Sequence, residues 1–222
     1  MEAQVITIIP ARSGSKGMKD KNIRLLAGIP LMAHSIKQSL VCGLRTVVST
    51  DSEEYAKIAR EFGAEVVMRQ KEISQDDSLD IEWADHACRI LGLTKGLIVH
   101  LRPCCPIRQI KHIKQGVALL QHSMADSLRS VEVALQTPYK MYVHRLKLIR
   151  PIMDSGCNMP RQKLPVAYYH NGYLDIVKVM TILNGSMTGE KILPFYVHNP
   201  IDIDTENDFV EAERLIHDSH DL

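Results

Sequence analysis

The sequence has almost no net charge: 27 Lys and Arg against 26 Asp and Glu leave a formal +1. A general nucleic-acid binder is distinctly basic, so that class is set aside. No apolar run is long enough to span a bilayer, and no membrane partner is expected. Strand-like sequence begins at Val5, so no signal peptide is expected. Cysteine occurs five times (Cys42, Cys88, Cys104, Cys105, Cys157), an odd number without framework spacing, so a reduced, cytoplasmic protein is expected. Adjacent Cys104 and Cys105 lack the C-x₂₋₄-C spacing of a zinc half-site. The scattered histidines contain no H-E-x-x-H, and no G-x-S-x-G elbow is present, which leaves zinc-enzyme and serine-hydrolase readings without support. Repeats, low-complexity tracts and linkers are also missing. One domain over residues 1–222 is therefore expected.

What is present begins with Val5-Ile6-Thr7-Ile8-Ile9, a run without alternation, as in a strand buried on both faces. Pro10 ends it, and a loop follows with Arg12, Ser13, Gly14, Ser15, Lys16, Gly17, Lys19 and Lys21. Small residues let the backbone close on an anion, and cationic side chains neutralise it from the flanks. A triphosphate suits such a loop. The spacing fits neither a Walker A loop nor G-x-G-x-x-G. Its place just past a buried strand is where open α/β sheets bind ligands.

Downstream, strands and helices alternate. Met32, Ile36 and Leu40 mark a helix closed by Gly43, and Thr46–Ser49 a strand. Thr50 or Asp51 is expected to cap a helix with apolar face Tyr55, Ile58, Ala59 and Phe62. Glu65–Met68 is a third strand, Ile81 to Leu91 a helix, Leu97–Leu101 a fourth strand, and Ile110 to Leu120 a helix. This rhythm implies parallel βαβ units and a doubly wound, Rossmann-like sheet flanked by helices. Ser130–Leu135 reads as a strand, and 138–165 as an irregular segment too apolar for a free loop. Ala167–Val179 is strand-like but broken at Asn171-Gly172, Ile192–Val197 is a strand, and Thr205 with Asp208 caps a last helix. Met32 and Met180 are expected in the core.

Asp202-Ile203-Asp204 precedes that helix. Residues two apart on extended backbone point the same way, so both carboxylates can face one Mg²⁺ shared with a phosphate. Asp204 can equally orient the helix N-terminus.

The run Ile9-Pro10-Ala11-Arg12-x-Gly14-Ser15-Lys16-Gly17, with Lys21-Asn22-Ile23, resembles the signature of the CMP-sialic acid synthetases (acylneuraminate cytidylyltransferases). Leu101-Arg102-Pro103-Cys104-Cys105-Pro106-Ile107-Arg108 is similar to that family's Leu-Gln-Pro-Thr-Ser-Pro-Leu-Arg, with Arg for Gln and thiols for hydroxyls. The resemblance implies a fold of the nucleotide-diphospho-sugar transferase type with a dimerisation insert at 138–165. It implies catalytic roles for Arg12, Lys21 and Arg161, and nucleotide contacts from Ala11, Ser13, Gly14, Ser15, Lys16 and Asn22. Arg69 and Ser78, with Asp80, would read the cytosine edge. Gln162, Tyr169 and Asn171 would line the sugar pocket. Arg102, where the family has Gln, can grip a carboxylate with two hydrogen bonds and is expected on the carboxylate or the glycerol-like tail of the sugar acid. Asp202 and Asp204 would hold the metal.

The expected reaction is in-line attack by the anomeric hydroxyl of a nine-carbon sugar acid on the α-phosphorus of CTP, in a homodimer. Alternatives are GTP as the nucleotide, legionaminic or pseudaminic acid as the sugar, or a non-catalytic sugar-nucleotide-binding subunit.

Overall fold

The computed structural model describes residues 4–14 and 17–218. The apolar run becomes β1 (Val5–Pro10), followed by a small hairpin of β2 (Leu25–Leu26) and β3 (Ile29–Pro30). Helices and strands then alternate: α1 (Leu31–Val41), β4 (Arg45–Thr50), α2 (Glu53–Glu61), β5 (Glu65–Met68), α3 (Asp80–Ile90), β6 (Leu97–His100) and α4 (Ile110–Gln121). The second half holds β7 (Ser127–Val133), β8 (Tyr142–Arg145), β9 (Leu148–Pro151), β10 (Tyr168–Lys178), α5 (Val179–Leu183), β11 (Ile192–Tyr196) and α6 (Glu206–Asp218).

Seven strands form one sheet in the order β11-β7-β10-β6-β1-β4-β5. β10 runs antiparallel to β6 and β7, and the other pairings are parallel. The fold is the expected mostly parallel α/β sheet flanked by helices. Its strands divide their side chains with period two. Ile9, Val48 and Val99 enter one core with Met32, Ile36, Tyr55 and Ile113, whereas Ile8, Val47 and Ile98 enter the other with Trp83, Ala84, Val179 and Ile182. A third cluster of Met18, Leu26, Leu31, Ile203, Phe209 and Ala212 ties the first loop to α6.

Local chemistry moved several boundaries. Ser52 caps α2, its Oγ accepting from the Tyr55 N–H at 3.4 Å. The expected caps are engaged elsewhere: Thr50 Oγ1 accepts from the Ser52 N–H, and Asp51 accepts from Ser13. α6 starts as expected, with Thr205 and Asp208 exchanging side-chain-to-backbone bonds. β7 begins at Ser127, not Ser130, because these small hydroxyls are satisfied inside the fold by the Thr188 carbonyl and the Leu174 N–H. Met32 is buried, but Met180 lies on the outer side of the short α5, half exposed.

Within 138–165, β8 and β9 pair only with each other, and Leu146, Leu148 and Ile149 are 94%, 71% and 62% exposed.

Candidate active-site cleft

The C-terminal ends of β1, β4, β5 and β6 deliver their loops to one edge of the sheet. A cleft of about 460 Å³ opens there. Its wall contains Arg12, Lys21, Asn22, Arg69, Ser78, Asp80, Arg102 and Asp204, eight of the residues singled out from the sequence.

The first loop is held by its own side chains. Ser13 donates to Asp51 through its N–H (2.8 Å) and its Oγ (2.7 Å). The Asn22 amide donates to the Arg12 carbonyl at 3.0 Å. Gly14 takes φ +69°, and a Cβ on Gly17 would come within 3.3 Å of the Asp204 carbonyl. The loop therefore passes tightly against the Asp202–Asp204 segment, where a side chain on Gly17 would press on the Asp204 carbonyl. Lys21 closes this contact, its Nζ donating to the Ile203 carbonyl at 2.6 Å and to Asp204 Oδ1 at 3.1 Å. Arg12 forms an ion pair with Asp76 at 2.7 Å, with both side chains about one-third exposed.

Arg69 is buried at the end of β5. It donates through Nε to Ser49 Oγ and through Nη2 to the Ser49 carbonyl, and burial lowers its pKa to about 10. A guanidinium has five N–H donors, so some remain for a ligand. Ser78 Oγ accepts from the Gln75 N–H at 2.9 Å.

Arg102 is committed to carboxylates of the protein. It donates to Asp80 at 3.0 Å and lies 3.5 Å from Asp175. A sugar carboxylate would have to compete with both. Asp175 sits mid-strand in β10, with His170 at 2.8 Å and Arg129 at 3.6 Å. Burial alone would raise its carboxyl, but the His170 hydrogen bond and the neighbouring His100 and Arg102 outweigh that and hold it at about 2. His100, fully buried under the Trp83 ring edge, is pushed down to about 3 by desolvation. Among the described residues neither of its ring nitrogens has a hydrogen-bond partner, although Nδ1 lies 3.8 Å from Asp175 Oδ2. Sequence reasoning missed His100 and Asp175. The available signal was an acid inside the apolar run Tyr173–Val177.

Other sequence-derived positions fall elsewhere. Ser13 and Gly14 line an adjoining hollow, shared with Arg12 and Asp76. The Ala11 methyl is buried in the core, and its N–H donates to the Ser49 carbonyl, so it shapes the strand exit instead of lining the cleft. Asn171 is buried with both ends of its amide engaged, to the Val197 carbonyl and the Tyr173 N–H. One donor and one acceptor site of the amide are thereby taken within the fold. Gly172 beside it takes φ +69° and passes close to the Arg102 side chain, so the pair forms an irregularity within β10 and not a turn between strands. Arg161 and Gln162 lie in an exposed 3-10 turn, with Arg161 donating to the Leu135 carbonyl at 2.7 Å; within one chain they do not reach the cleft. Tyr169 is half exposed, its hydroxyl raised to about 12 by burial and a bond to Glu132. Ser15 and Lys16 lie outside the described residues. Asp202 approaches Cys104 and Cys105, while Asp204 meets Lys21.

A profile described as Cytidylyltransferase matches residues 6–184, which takes in the first loop, the Arg69 and Arg102 segments and β10. The chain belongs to the cytidylyltransferase family. Among its relatives, the N-acylneuraminate cytidylyltransferase of Escherichia coli O18:K1:H7 is 37% identical over 123 residues, covering 54% of this chain and 29% of that one. The CMP-N,N'-diacetyllegionaminic acid synthase of Legionella pneumophila is 28% identical over 224 residues, covering 96% of both chains. This chain spans about half the length, or less, of the bacterial N-acylneuraminate cytidylyltransferases it matches. A solved CMP:2-keto-3-deoxy-manno-octonic acid synthetase complexed with CTP has the same fold, at TM-score 0.71 and 15% identity, over 97% of this chain and 99% of that one.

Asp202 and Asp204 flank Ile203, which is fully buried in the third core cluster. Both carboxylates are exposed while the backbone between them is anchored. Hard oxygen donors on an anchored segment fit a Mg²⁺ that keeps waters and takes its remaining ligands from phosphate, with Lys21 its competitor for Asp204.

Proposed function

We propose that the chain transfers CMP from CTP to the anomeric hydroxyl of a nonulosonic acid of the sialic type and releases pyrophosphate. The observation that carries this reading is the convergence of Arg12, Lys21 and Asn22 from the first loop with Arg69 and Asp204 on one cleft. The names of the relatives, which cover sialic and legionaminic acids, support the substrate class.

Attack on the α-phosphorus builds charge on the non-bridging and leaving oxygens, so preorganised cations dominate such chemistry. Lys21 is held in place by the Ile203 carbonyl and Asp204 before any ligand arrives. Arg12 exchanges its Asp76 partner for phosphate oxygens. The free donors of Arg69, together with Ser78, complement the acceptors on the cytosine edge. Asp202 and Asp204 would hold Mg²⁺, which supplies charge neutralisation on the triphosphate. Arg102, already facing Asp80 and Asp175, shapes the sugar end of the cleft. Its Asp80 ion pair is only partly buried, so a sugar carboxylate can displace it.

The exposed apolar hairpin of β8 and β9 is assigned to a homodimer contact, through which Arg161 and Gln162 of one subunit approach the other's cleft. The five free thiols fit a reducing, cytoplasmic setting. No helix among the described residues is long and apolar enough to cross a membrane.

The test is pyrophosphate release with Mg²⁺, crossing CTP and GTP against N-acetylneuraminic, legionaminic, pseudaminic and Kdo acids. Release with CTP and one nonulosonic acid is expected. Release only with GTP would overturn the roles given to Arg69 and Ser78. Silence with every pair would leave a non-catalytic sugar-nucleotide binder.

A further inference from the structure

Cys104 and Cys105 follow β6 and form part of the loop that walls the cleft. Their Sγ atoms and a carboxylate oxygen of Asp202 all lie within 4.8 Å of one another. The two segments are joined, since the Ile203 N–H donates to the Cys104 carbonyl at 2.8 Å and Ile203 itself is fully buried. Cys105 is buried, while Cys104 faces the cleft, so the trio opens to solvent on one side.

Adjacent cysteines alone do not make a metal site, but a third donor arriving from a distant segment changes the count. Two thiolates and one carboxylate, with a water from the cleft, complete a tetrahedron for a borderline-to-soft d¹⁰ cation. Metal–ligand bonds of about 2.0–2.3 Å put such ligands roughly 3.3–3.8 Å apart, so closing on the ion takes about an ångström of side-chain movement. Mg²⁺ prefers oxygen in octahedral array and would leave the thiols aside.

Charge favours the same occupant. Arg108 is fully buried, and its hydrogen bonds run to neutral oxygens of Tyr173, Ser35, Gln38 and Arg102. Its positive charge acts on both thiols. A divalent cation with two thiolates and a carboxylate carries net −1, which balances that guanidinium; each thiol gives its proton to solvent as the ion enters.

We propose that Cys104, Cys105 and Asp202 form a binding site for a thiophilic divalent cation, Zn²⁺ or Cd²⁺. Its occupation would withdraw Asp202 from Mg²⁺ and inhibit transfer, a consequence that rests on the function proposed above.

The test titrates the reduced, metal-free full chain with Cd²⁺. It reads the ultraviolet thiolate-to-Cd²⁺ charge-transfer band and, separately, Mg²⁺-dependent pyrophosphate release; thermal melts confirm that each variant is folded. One Cd²⁺ per chain is expected, with the band abolished in Cys104→Ser/Cys105→Ser and the affinity lowered at least tenfold in Asp202→Asn. Cys42→Ser/Cys157→Ser should keep the band unchanged. A wild-type chain without the band, or a band that survives in Cys104→Ser/Cys105→Ser, overturns the site. Cd²⁺ bound at these thiols with pyrophosphate release unaltered overturns the competition for Asp202. A chain inactive even without Cd²⁺ overturns the proposed function, and the absorption band still decides the site.

Discussion

The cleft and the arm are both rich in residues that a sequence reader would single out, yet they are held together in opposite ways. In the cleft, distant segments grip one another: Lys21 reaches Ile203 and Asp204, Ser13 reaches Asp51, and Arg69 reaches Ser49. In the arm, β8 and β9 bond only to each other and leave Tyr142, Val143, Leu148 and Ile149 on the surface. An isolated two-stranded hairpin is marginal in water. Apolar composition therefore marks a buried surface in both places, but only the cleft half finds its cover within the same chain. The apolar side chains of the arm stay uncovered within one chain, and the proposed dimer would cover them.

Four perturbations break or sharpen this contrast. The largest effect is expected from Lys21→Ala, which removes a prepositioned cation from the cleft. By analogy with other oxyanion donors, turnover should fall about 10²–10³-fold in steady-state pyrophosphate release, measured where the variant is folded, with a modest drop in melting temperature from the lost bonds to Ile203 and Asp204. Near-normal turnover would remove Lys21 from the chemistry.

Next is Ile203→Val, which takes one methylene from the cluster anchoring the two aspartates. It should cost about 0.5–1.5 kcal/mol in denaturant titration. No measurable loss would mean that the segment is not anchored as described.

The third concerns pH. His100 is held neutral to about pH 3, against an ordinary value of 6.5. Between those values the unfolded chain binds the additional proton, so stability falls as pH drops from 6.5 towards 3. Asp175 acts lower down, its contribution being present above its ordinary value of 3.8 and lost as pH falls towards about 2. In His100→Asn the melting temperature should therefore decline less steeply than in wild type just below pH 6.5. Parallel profiles for the two proteins would refute the assignment to His100.

The smallest effect on intrinsic stability is expected in the arm. Leu148→Asp with Ile149→Asp should shift the folding free energy of the monomer by under about 0.5 kcal/mol, because both side chains already face solvent. Sedimentation should nevertheless show a dimer becoming a monomer, and an unchanged mass would send the dimer contact elsewhere.

The first half of the fold was legible because its strands are unbroken β-branched runs and its helices carry clear apolar stripes. Glu65–Met68, for example, forms β5 with the expected ends. The cleft was legible where chemistry concentrates in one stretch, as in Arg12 to Asn22. It was less so where a residue's use depends on distant neighbours. Nothing near Asn171 reveals that Val197 will claim its amide, and nothing near Arg102 reveals that Asp175 will face it from a reversed strand. α5 was hidden because Val179–Leu183 continues the composition of β10 into a helix. Ser52 displaced Thr50 and Asp51 as a cap because Asp51 was drawn to Ser13 in the first loop, a tertiary contact that local sequence does not announce.

β10 has a consequence for communication between the two regions. It leaves the arm, passes Asp175 opposite Arg102, and continues along β6 towards α5. An extended strand is already near full length, at about 3.3 Å per residue, so it transmits tension with little give. The irregular stretch between His170 and Asp175, with Asn171 and Gly172, is where the ladder is not continuous. This stretch is pinned from the side instead: Asn171 donates to the Val197 carbonyl, and the Leu174 N–H donates to Ser130 Oγ. The strand that leads from the arm to the carboxylate facing Arg102 is therefore held sideways where its ladder lapses.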